Sequence, residues 1–394
     1  MPTEHYDIVV IGGGIHGAGV AQAAAARGYS TILLEQTGLA SGTSSRSSKL
    51  IHGGLRYLET AQYSLVRECL RERTLLLKLA PELVRLRPFY IPVYPATRRR
   101  PWKLRVGLSL YGILAGLRFE SSFNTVNRES WDTLDGLDTK NLQAVFRYWD
   151  AQTDDAALTR AVMQSALSLS ARLMMPASFI SAELTGTGCV VHYRYAGRDC
   201  TVKAGALVNA AGPWVNQVLA SITPSQKMPG MDLVQGTHII IQGSLSQGIY
   251  YMEAPRDQRA VFAMPWQGKI LVGTTETHYQ GDPADVRPLK EEQDYLLETF
   301  SRYFPAQRSL QHHDIVSSFA GLRVLPASGE SAFQRSRETI FHPDRLVKPQ
   351  LLSIYGGKLT TYRATAEKVI NQLSSGLPKR KMVADTRKLR LMPV

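Results

Sequence analysis

The pattern that most constrains the fold lies near the start of the chain, in DIVVIGGGIHGAGVAQAAAARGYSTILLEQ (residues 7–36). An apolar run, a glycine-rich turn, an alanine-rich segment and a second apolar run predict a β-α-β unit. Gly12, Gly14 and Gly17 form G-x-G-x-x-G, in which glycine permits the tight turn, the close approach of backbone to a pyrophosphate, and helix–strand packing. The spacing predicts a Rossmann-type dinucleotide-binding domain of the α/β class.

Residues at the ends of these elements are predicted to contact the dinucleotide. Ile15 and His16 begin the helix, whose unpaired N–H groups and positive dipole end would face the pyrophosphate. Glu35 follows the second strand, 18 residues after Gly17, where a carboxylate accepts hydrogen bonds from an adenosine ribose and disfavours NADP. Gln36, the next residue, is also predicted to contact the dinucleotide. The motif by itself does not distinguish FAD from NAD.

A serine- and threonine-rich segment, SGTSSRSSKLIHGGLRYLE (residues 41–59), follows this unit and favours FAD. In a nicotinamide enzyme of ordinary layout another crossover helix would follow the second strand. Short hydroxyls and exposed backbone amides instead suit a second pass over a pyrophosphate and a flat ring system. The predicted cofactor contacts in this segment are Thr43, Ser44, Ser45, Ser48, Lys49, Leu50, His52, Gly53 and Gly54.

This segment resembles the flavin-contacting loop of the aerobic FAD-dependent glycerol-3-phosphate dehydrogenases, which are members of the D-amino-acid-oxidase-like superfamily. Further motifs match that family in the same order along the chain, so the resemblance covers roughly residues 6–370. They are GALVNAAGPWVNQVL (205–219), MDLVQGTHIII (231–241), RAVFAMPWQGKILVGTTETHYQGDP (259–283), AGLRVLPA (320–327) and SIYGGKLTTYRATAEKVI (353–370).

The resemblance implies an α/β protein with a discontinuous Rossmann-type FAD-binding domain and a substrate domain that contains an antiparallel sheet. We predict the FAD-binding domain in residues 1–90, 150–225 and 315–394, and the substrate domain in residues 91–149 and 226–314. The C-terminal helical domain of longer family members is expected to be absent.

Two of the later motifs add predicted FAD contacts. Ala210 and Gly212 follow a buried strand, where small residues allow the backbone to approach a ligand closely. The last motif combines a glycine turn with an amphipathic helix, whose N-terminus would stabilise the negative N1–C2=O edge of reduced flavin. An ordinary glycine-started helix is the alternative for this segment. The contacts predicted there are Gly357, Lys358, Leu359 and Thr360.

The resemblance also implies the reaction, which is oxidation of sn-glycerol 3-phosphate to dihydroxyacetone phosphate by hydride transfer to flavin N5, with electrons passed on to quinone. Arginine suits the phosphate because its planar fork meets phosphate oxygens in bidentate geometry. Arg56, Arg323 and Arg337 are the candidate phosphate ligands, with Tyr57 as a hydrogen-bond partner. Alternatives are oxidation of another small hydroxy acid or amine, or a flavin-binding module without turnover.

Alcohol oxidation also requires a proton acceptor. His52 and His238 lie in the flavin-side and substrate-side motifs and either could be that base, although a lone histidine is more often structural. Arg323 and Lys358 complete the candidate catalytic residues. The chain departs from the family at His16, where asparagine is common, and after Arg323, where valine replaces the usual proline.

Charge and composition bound the partners. The chain has 46 basic and 33 acidic residues, for a net charge of +13, and this balance favours anionic partners. Because no RNP-like or helix-turn-helix pattern accompanies the basic clusters, nucleic acid is not expected. The basic and apolar segment RRRPWKLRVGLSLYGILAGLRF (98–119) suits either an interfacial anchor on anionic lipid or a partly buried helix with a basic cap.

The sequence says less about the protein's cellular location and its assembly. Neither a spanning helix nor a secretory leader is predicted, so we expect a cytoplasmic protein that is peripheral on the inner face of the cell membrane. The three cysteines (Cys69, Cys189 and Cys200) lack metal-site spacing and are expected to be reduced, with no metal bound. The oligomeric state, covalent attachment of FAD, and the choice between quinone and oxygen stay open.

Overall fold

The structure, a computed structural model, describes residues 4–116, 121–327 and 338–394. In chain order its strands are β1 (Glu4–Ile11), β2 (Thr31–Leu34), β3 (Leu50–Ile51), β4 (Val84–Val93), β5 (Phe123–Thr125), β6 (Ala144–Thr153), β7 (Arg172–Met174), β8 (Ala177–Leu184), β9 (Cys189–Tyr195), β10 (Arg198–Asn209), β11 (Ile222–Thr223), β12 (Met231–Ile241), β13 (Ile249–Glu253), β14 (Ala260–Trp266), β15 (Lys269–Gly273), β16 (Thr277–Tyr279), β17 (Ile315–Pro326), β18 (Ile340–Pro343) and β19 (Leu351–Tyr355). Its α-helices are α1 (Ile15–Ala26), α2 (Tyr63–Leu79), α3 (Pro101–Leu114), α4 (Asp155–Ser168), α5 (Val215–Ala220), α6 (Lys290–Tyr303) and α7 (Tyr362–Leu373).

The first sheet contains the β-α-β unit that the glycine pattern predicts. β1 lies between β2 and β10 and pairs in parallel with both, while β10 also pairs in parallel with β19. Parallel strands buried on both faces are apolar without alternation, which explains the continuous run from Ile8 to Ile11. The carboxyl ends of these strands meet at one edge, where a Rossmann sheet binds its ligand.

Helix α1 packs against this sheet and lies between α4 and α7. Its residues from Gly17 to Ala26 are all buried, because alanine and glycine let neighbouring helices approach from several sides. A Cβ added to Gly19 would lie 2.8 Å from the Tyr362 ring of α7. The alanine-rich composition of α1 therefore reflects its central position in the domain.

The second sheet is largely antiparallel, with the strand order β16-β12-β15-β14-β13-β4-β6-β3. β17 pairs with β12 along most of its length, and β13 and β4 form a parallel pair. Helix α6 packs on this sheet through Leu296, Leu297 and Phe300. The predicted fold class, a Rossmann-type α/β domain combined with an antiparallel sheet, is confirmed.

The second sheet includes strands from ranges that we predicted to be FAD-binding, namely β3, most of β4 and β17. β17 comes from the range 315–394, which we predicted to be FAD-binding, but it lies in the second sheet beside β12. The other domain boundaries stay a prediction.

Candidate functional site

A cavity of about 840 Å³ lies between the two sheets and is lined by residues of both. Most of the residues predicted to bind cofactor or substrate line it, although they come from six separate motifs. They are Gly12, Gly14, Ile15, His16, Glu35, Gln36, Thr43, Ser44, Ser48, Leu50, His52, Gly54, Arg56, Tyr57, Ala210, Gly212, His238, Arg323, Gly357, Lys358, Leu359 and Thr360.

The first glycine turn is held so closely that side chains are excluded from it. Gly12 has a φ of +102°, and a Cβ there would lie 2.7 Å from the carbonyl oxygen of Ala210. A Cβ on Gly17 would lie 1.8 Å from the carbonyl oxygen of Gly12. Gly17 does not line the cavity, since its role is to bring α1 against the turn, as the motif predicts.

Side chains on both sides of this turn fix its backbone. Glu35 is 7% exposed, and its Oε2 accepts a hydrogen bond from Gly13 N at 2.6 Å while its Oε1 accepts one from Thr37 N at 2.8 Å. Ser44 Oγ accepts a hydrogen bond from Ile15 N at the start of α1, at 2.9 Å. The serine-rich segment therefore passes beside the helix N-terminus, at the place where a pyrophosphate would lie.

The serine-rich segment also contacts the turn that precedes α7. His52 N donates to Thr360 Oγ1 at 3.2 Å, and that hydroxyl lies 3.4 Å from His52 O, to which it donates. Gly357 has a φ of +96°, and a Cβ there would lie 2.2 Å from His16 Nε2. Two motifs about 300 residues apart in sequence therefore form one wall of the cavity.

Two histidines of the site, His16 and His238, are held neutral. Burial lowers the pKa of His16 to about 4. Burial, with Arg323 and Lys49 nearby, lowers the pKa of His238 well below its ordinary value. His238 stacks on the Phe319 ring with 4.9 Å between centroids, and its Nε2 lies 2.9 Å from Ser48 Oγ.

Three residues of the serine-rich segment that we predicted to contact cofactor do not line the cavity. Lys49 Nζ turns inward, where it donates to Ser45 O at 2.5 Å and pairs with Asp155 at 2.6 Å. Gly53 N donates to Tyr111 OH at 2.8 Å, so it also faces the protein interior. The interior contacts of Lys49, Ser45 and Gly53 instead hold the segment in its conformation. Arg337, a predicted phosphate ligand, lies outside the described residues.

At the far end of the cavity three guanidinium groups, which we call the arginine cluster (Arg56, Arg259 and Arg323), surround Glu276. Glu276 has a side chain only 6% exposed. Its Oε1 lies 3.7 Å from Arg323 Nη1 and 4.0 Å from Arg56 Nη1, and its Oε2 lies 3.9 Å from Arg259 Nη1. All four residues line the cavity, which makes this end strongly cationic.

Backbone and hydroxyl groups fix the cluster further. Arg323 donates from Nη2 to Thr274 Oγ1 at 3.1 Å and from Nη1 to Thr275 O at 3.3 Å, and Arg259 Nη1 donates to Glu276 O at 3.0 Å. Lys358 Nζ lies 3.7 Å from the centroid of the Tyr57 ring. Within the described part of the chain this buried ammonium has no hydrogen-bond partner.

Sequence reasoning missed Arg259 and Glu276. Both belong to the quoted motif of residues 259–283, in which we predicted no site residue. The signal that could have found Glu276 is a carboxylate in the polar stretch GTTETHY, directly after an apolar strand. No local pattern distinguishes Arg259, at the start of β14, from a solvated surface arginine.

The residues fit FAD. The cavity is lined by the Glu35 carboxylate, the glycine turn, the start of α1 and the arginine cluster. Gly12 and Gly357 line it as well, and neither position leaves room for a Cβ, as expected where backbone approaches a ligand. The cationic end suits the anionic part of a substrate.

Comparison with known protein families gives the same assignment. Residues 7–363 match the family model DAO, described as FAD dependent oxidoreductase. The chain is 38% identical to D-erythritol 1-phosphate dehydrogenase of Brucella abortus, over 95% of this chain and 75% of that protein. It is 39% identical to glycerol-3-phosphate dehydrogenase of Pseudomonas aeruginosa, over 94% of this chain and 72% of that protein.

A solved structure extends the similarity to three dimensions. The glycerol-3-phosphate dehydrogenase from Bacillus halodurans, complexed with FAD, superposes with a TM-score of 0.78 at 30% identity. The alignment covers 98% of this chain and 68% of that one.

Proposed function

Because the chain belongs to the DAO family of FAD-dependent oxidoreductases, we propose that it oxidises sn-glycerol 3-phosphate to dihydroxyacetone phosphate. The arginine cluster at the end of the cofactor cavity is the observation that carries this proposal. Relatives named for phosphorylated polyols, at 38% and 39% identity, support it. Bound FAD supplies the acceptor for the hydride that leaves the alcohol carbon.

The arginine cluster would bind the phosphate. A phosphate dianion offers three oxygens, and three guanidinium groups can meet them with charge-assisted hydrogen bonds. Arg323 is already oriented by Thr274 and Thr275, so it loses little rotamer freedom on binding. Lys358, which lies over the Tyr57 ring, adds a further cation on the same side of the cavity.

Of the two candidate bases, we propose His52. Burial, together with the nearby Arg323 and Lys49, holds the pKa of His238 well below the ordinary value, so that imidazole is poorly suited to accept a proton. His52 lines the cavity, and its backbone is fixed by Thr360. His238 would then act as a neutral hydrogen-bond partner of Ser48.

The test is bleaching of the oxidised flavin without oxygen. Glycerol 3-phosphate should bleach the holoenzyme, and dihydroxyacetone phosphate should form in equal amount. If only amino acids or unphosphorylated hydroxy acids bleach it, the phosphate proposal is wrong. If none of these compounds bleaches it, the protein is a flavin-binding module without turnover.

A second substrate, D-erythritol 1-phosphate, is favoured by the relative of that name, whose identity to this chain is nearly the same. Both compounds present a phosphate to the arginine cluster, and they differ in the length of the polyol. The ratio of kcat/KM for the two compounds, measured side by side, decides between them.

The electron acceptor we propose is a membrane quinone, reached by peripheral docking on anionic lipid. Among the described residues, no helix has both the length and the apolar character needed to cross a bilayer. Helix α3 exposes Trp102, Val106 and Ile113, which helical geometry places on one face. Exposed basic residues flank this face at Arg98, Arg100, Lys103 and Arg105.

This surface has the composition of an interfacial helix, because aromatic and aliphatic side chains enter the headgroup region while basic side chains contact anionic lipids. Flotation with vesicles containing about one third anionic lipid should recover the protein at low salt and release it at high salt. Replacement of Trp102 and Val106 by serine should weaken recovery at low salt. Equal recovery of the variant and the parent would exclude α3 as the docking element.

A further inference from the structure

A buried carboxylate lies behind the substrate end of the cavity, where sequence analysis assigned no role. Glu292 is the third residue of α6 and is 6% exposed. Within the described residues it accepts five hydrogen bonds, four from side chains and one from backbone. The donors are Thr237 Oγ1 (2.5 Å), Gln235 Nε2 (2.6 Å), Thr277 Oγ1 (2.7 Å), Thr275 Oγ1 (2.8 Å) and Leu289 N (3.2 Å).

The first pair of side-chain donors belongs to β12. Neighbouring side chains on a strand point to opposite faces, so Gln235 and Thr237 point back to Glu292 while Gly236 and His238 line the cavity. A shift of this part of β12 relative to Glu292 would therefore move the His238 imidazole within the site.

The second pair belongs to residues 274–277, which follow β15 and include the first residue of β16, and the side chains alternate in the same way. Thr275 and Thr277 donate to Glu292, whereas Thr274 and Glu276 line the cavity. Thr275 Oγ1 also accepts a hydrogen bond from Thr237 N at 2.9 Å, which joins this segment to β12. One carboxylate thus anchors both segments through the side chains that point away from the cavity.

The front of the second segment holds two members of the arginine cluster. Thr274 Oγ1 and Thr275 O accept hydrogen bonds from Arg323, and Glu276 O accepts one from Arg259. These acceptors keep their positions only if the segment itself is fixed. The hydrogen bonds to Glu292 supply that constraint from the first turn of α6.

The ionised carboxylate is needed for this arrangement, because a glutamine in its place would present a donor where four side-chain donors already point. Burial tends to raise the pKa of Glu292, but hydrogen bonds from Thr237, Thr277, Leu289 N and Thr275 outweigh it and hold the pKa below its ordinary value. The group is therefore an anion throughout the neutral range.

We propose that Glu292 is a positioning residue for phosphate recognition, acting through the 274–277 segment on Arg323 and Arg259. This inference rests on the proposed function, since the arginine cluster is the site at which it acts. Glu292 does not line the cavity, so its effect on the reaction would be indirect.

The test uses the FAD-loaded enzyme and the variant Glu292→Gln, with Glu291→Gln as the matched control. Glu291 is the preceding residue of α6, carries the same charge and is exposed. Glu292→Gln should raise KM for glycerol 3-phosphate by about tenfold or more, because the hydrogen bonds to a charged group are lost, with a smaller change in kcat. The control should match the parent enzyme.

A second readout does not depend on turnover. The dissociation constant of inorganic phosphate, measured from the perturbation of the flavin absorption spectrum, should rise in parallel with KM in Glu292→Gln. A purely structural role would instead lower the FAD content and the Tm without this selective loss of anion affinity. Thr277→Val removes a single donor of similar shape and should raise both constants by about threefold.

The outcomes separate the two proposals. If the parent enzyme binds phosphate but does not oxidise phosphorylated polyols, the proposed function is wrong, whereas a weaker phosphate affinity in Glu292→Gln still supports the positioning role. Unchanged KM and phosphate affinity in Glu292→Gln would overturn the inference. If Glu292→Gln does not fold, the same two measurements on Thr277→Val decide, and unchanged values there overturn it.

Discussion

The two ends of the cavity are built by different means. At the cofactor end, backbone groups shape the surface, and glycines at positions such as Gly12 and Gly357 are required because nothing larger fits. At the substrate end, charged side chains from distant strands converge, and their positions depend on hydrogen bonds from behind. Backbone shape leaves a local sequence motif, whereas convergence of side chains does not.

The largest expected effect tests the cofactor end. Gly12→Val should abolish FAD binding, because its Cβ would lie 2.7 Å from Ala210 O and the φ of +102° is unfavourable for a β-branched residue. Gly38→Ala is the control, since no atom lies within 4 Å of a Cβ at that position. The flavin-to-protein ratio after purification measures the effect. A variant that retains full flavin would mean that this turn does not determine the shape of the cofactor site.

Next in size is the loss of one member of the arginine cluster. Arg323→Ala should cost about 2 kcal/mol of substrate binding, or about 30-fold in KM, because charge-assisted hydrogen bonds are lost. FAD content should stay normal, which separates the two ends of the cavity. Arg308→Ala, at a mostly exposed arginine, is the control. An unchanged KM would remove Arg323 from the phosphate site.

A third prediction concerns the pH dependence of stability. Folded His238 stays neutral because its pKa is well below the ordinary value, whereas the unfolded chain takes up a proton below about pH 6.5. The free energy of unfolding should therefore fall as pH falls below that value, by up to about 1.4 kcal/mol per pH unit from this group. Urea unfolding at pH 7.5, 6.5 and 5.5 (about one unit apart) should give a smaller dependence for His238→Gln than for the parent. Equal dependences would contradict the assignment.

The smallest effect tests a residue that sequence analysis missed. Arg259→Ala should raise KM by about fivefold, or about 1 kcal/mol, because its guanidinium is more exposed than that of Arg323 and is partly paired with Asp257. Arg256→Ala is a matched control at a nearby, exposed arginine. A KM effect as large as that of Arg323→Ala would mean that the cluster acts as a unit rather than through one dominant arginine.

The cofactor end and the substrate end of the cavity also differ in how much of each could be predicted from the sequence. The grouping of Gly12, Gly17 and Glu35 around one turn could be predicted from spacing alone, because all three belong to one β-α-β unit. Their contacts with FAD stay a prediction. Arg56 and Arg323 were found through resemblance, and the structure brings them to the same carboxylate. Arg259 and Glu292 could not be found, because only tertiary contacts bring Arg259 to Glu276 and bring Glu292 to the side chains of β12.

Lys49 shows a second limit of prediction from sequence, which concerns the direction of a single side chain. Its position among serines near the flavin loop favoured a cofactor contact, but its ammonium pairs with Asp155 in the interior and lies 5.0 Å from the Phe319 ring centroid. A periodic or motif-based argument cannot tell which way a single side chain leaves an irregular segment. The direction of this side chain is decided by its buried partner Asp155, which lies about 100 residues away in the chain.

Helix α1 has a consequence for tolerance to mutation. Surface helices usually accept substitutions with a period of 3.6, because one side faces water. From Gly17 to Ala26 every residue of α1 is buried between the sheet, α4 and α7. A saturation library of this helix should therefore show depletion at every position, and an enlarged side chain anywhere along it would push apart three layers at once.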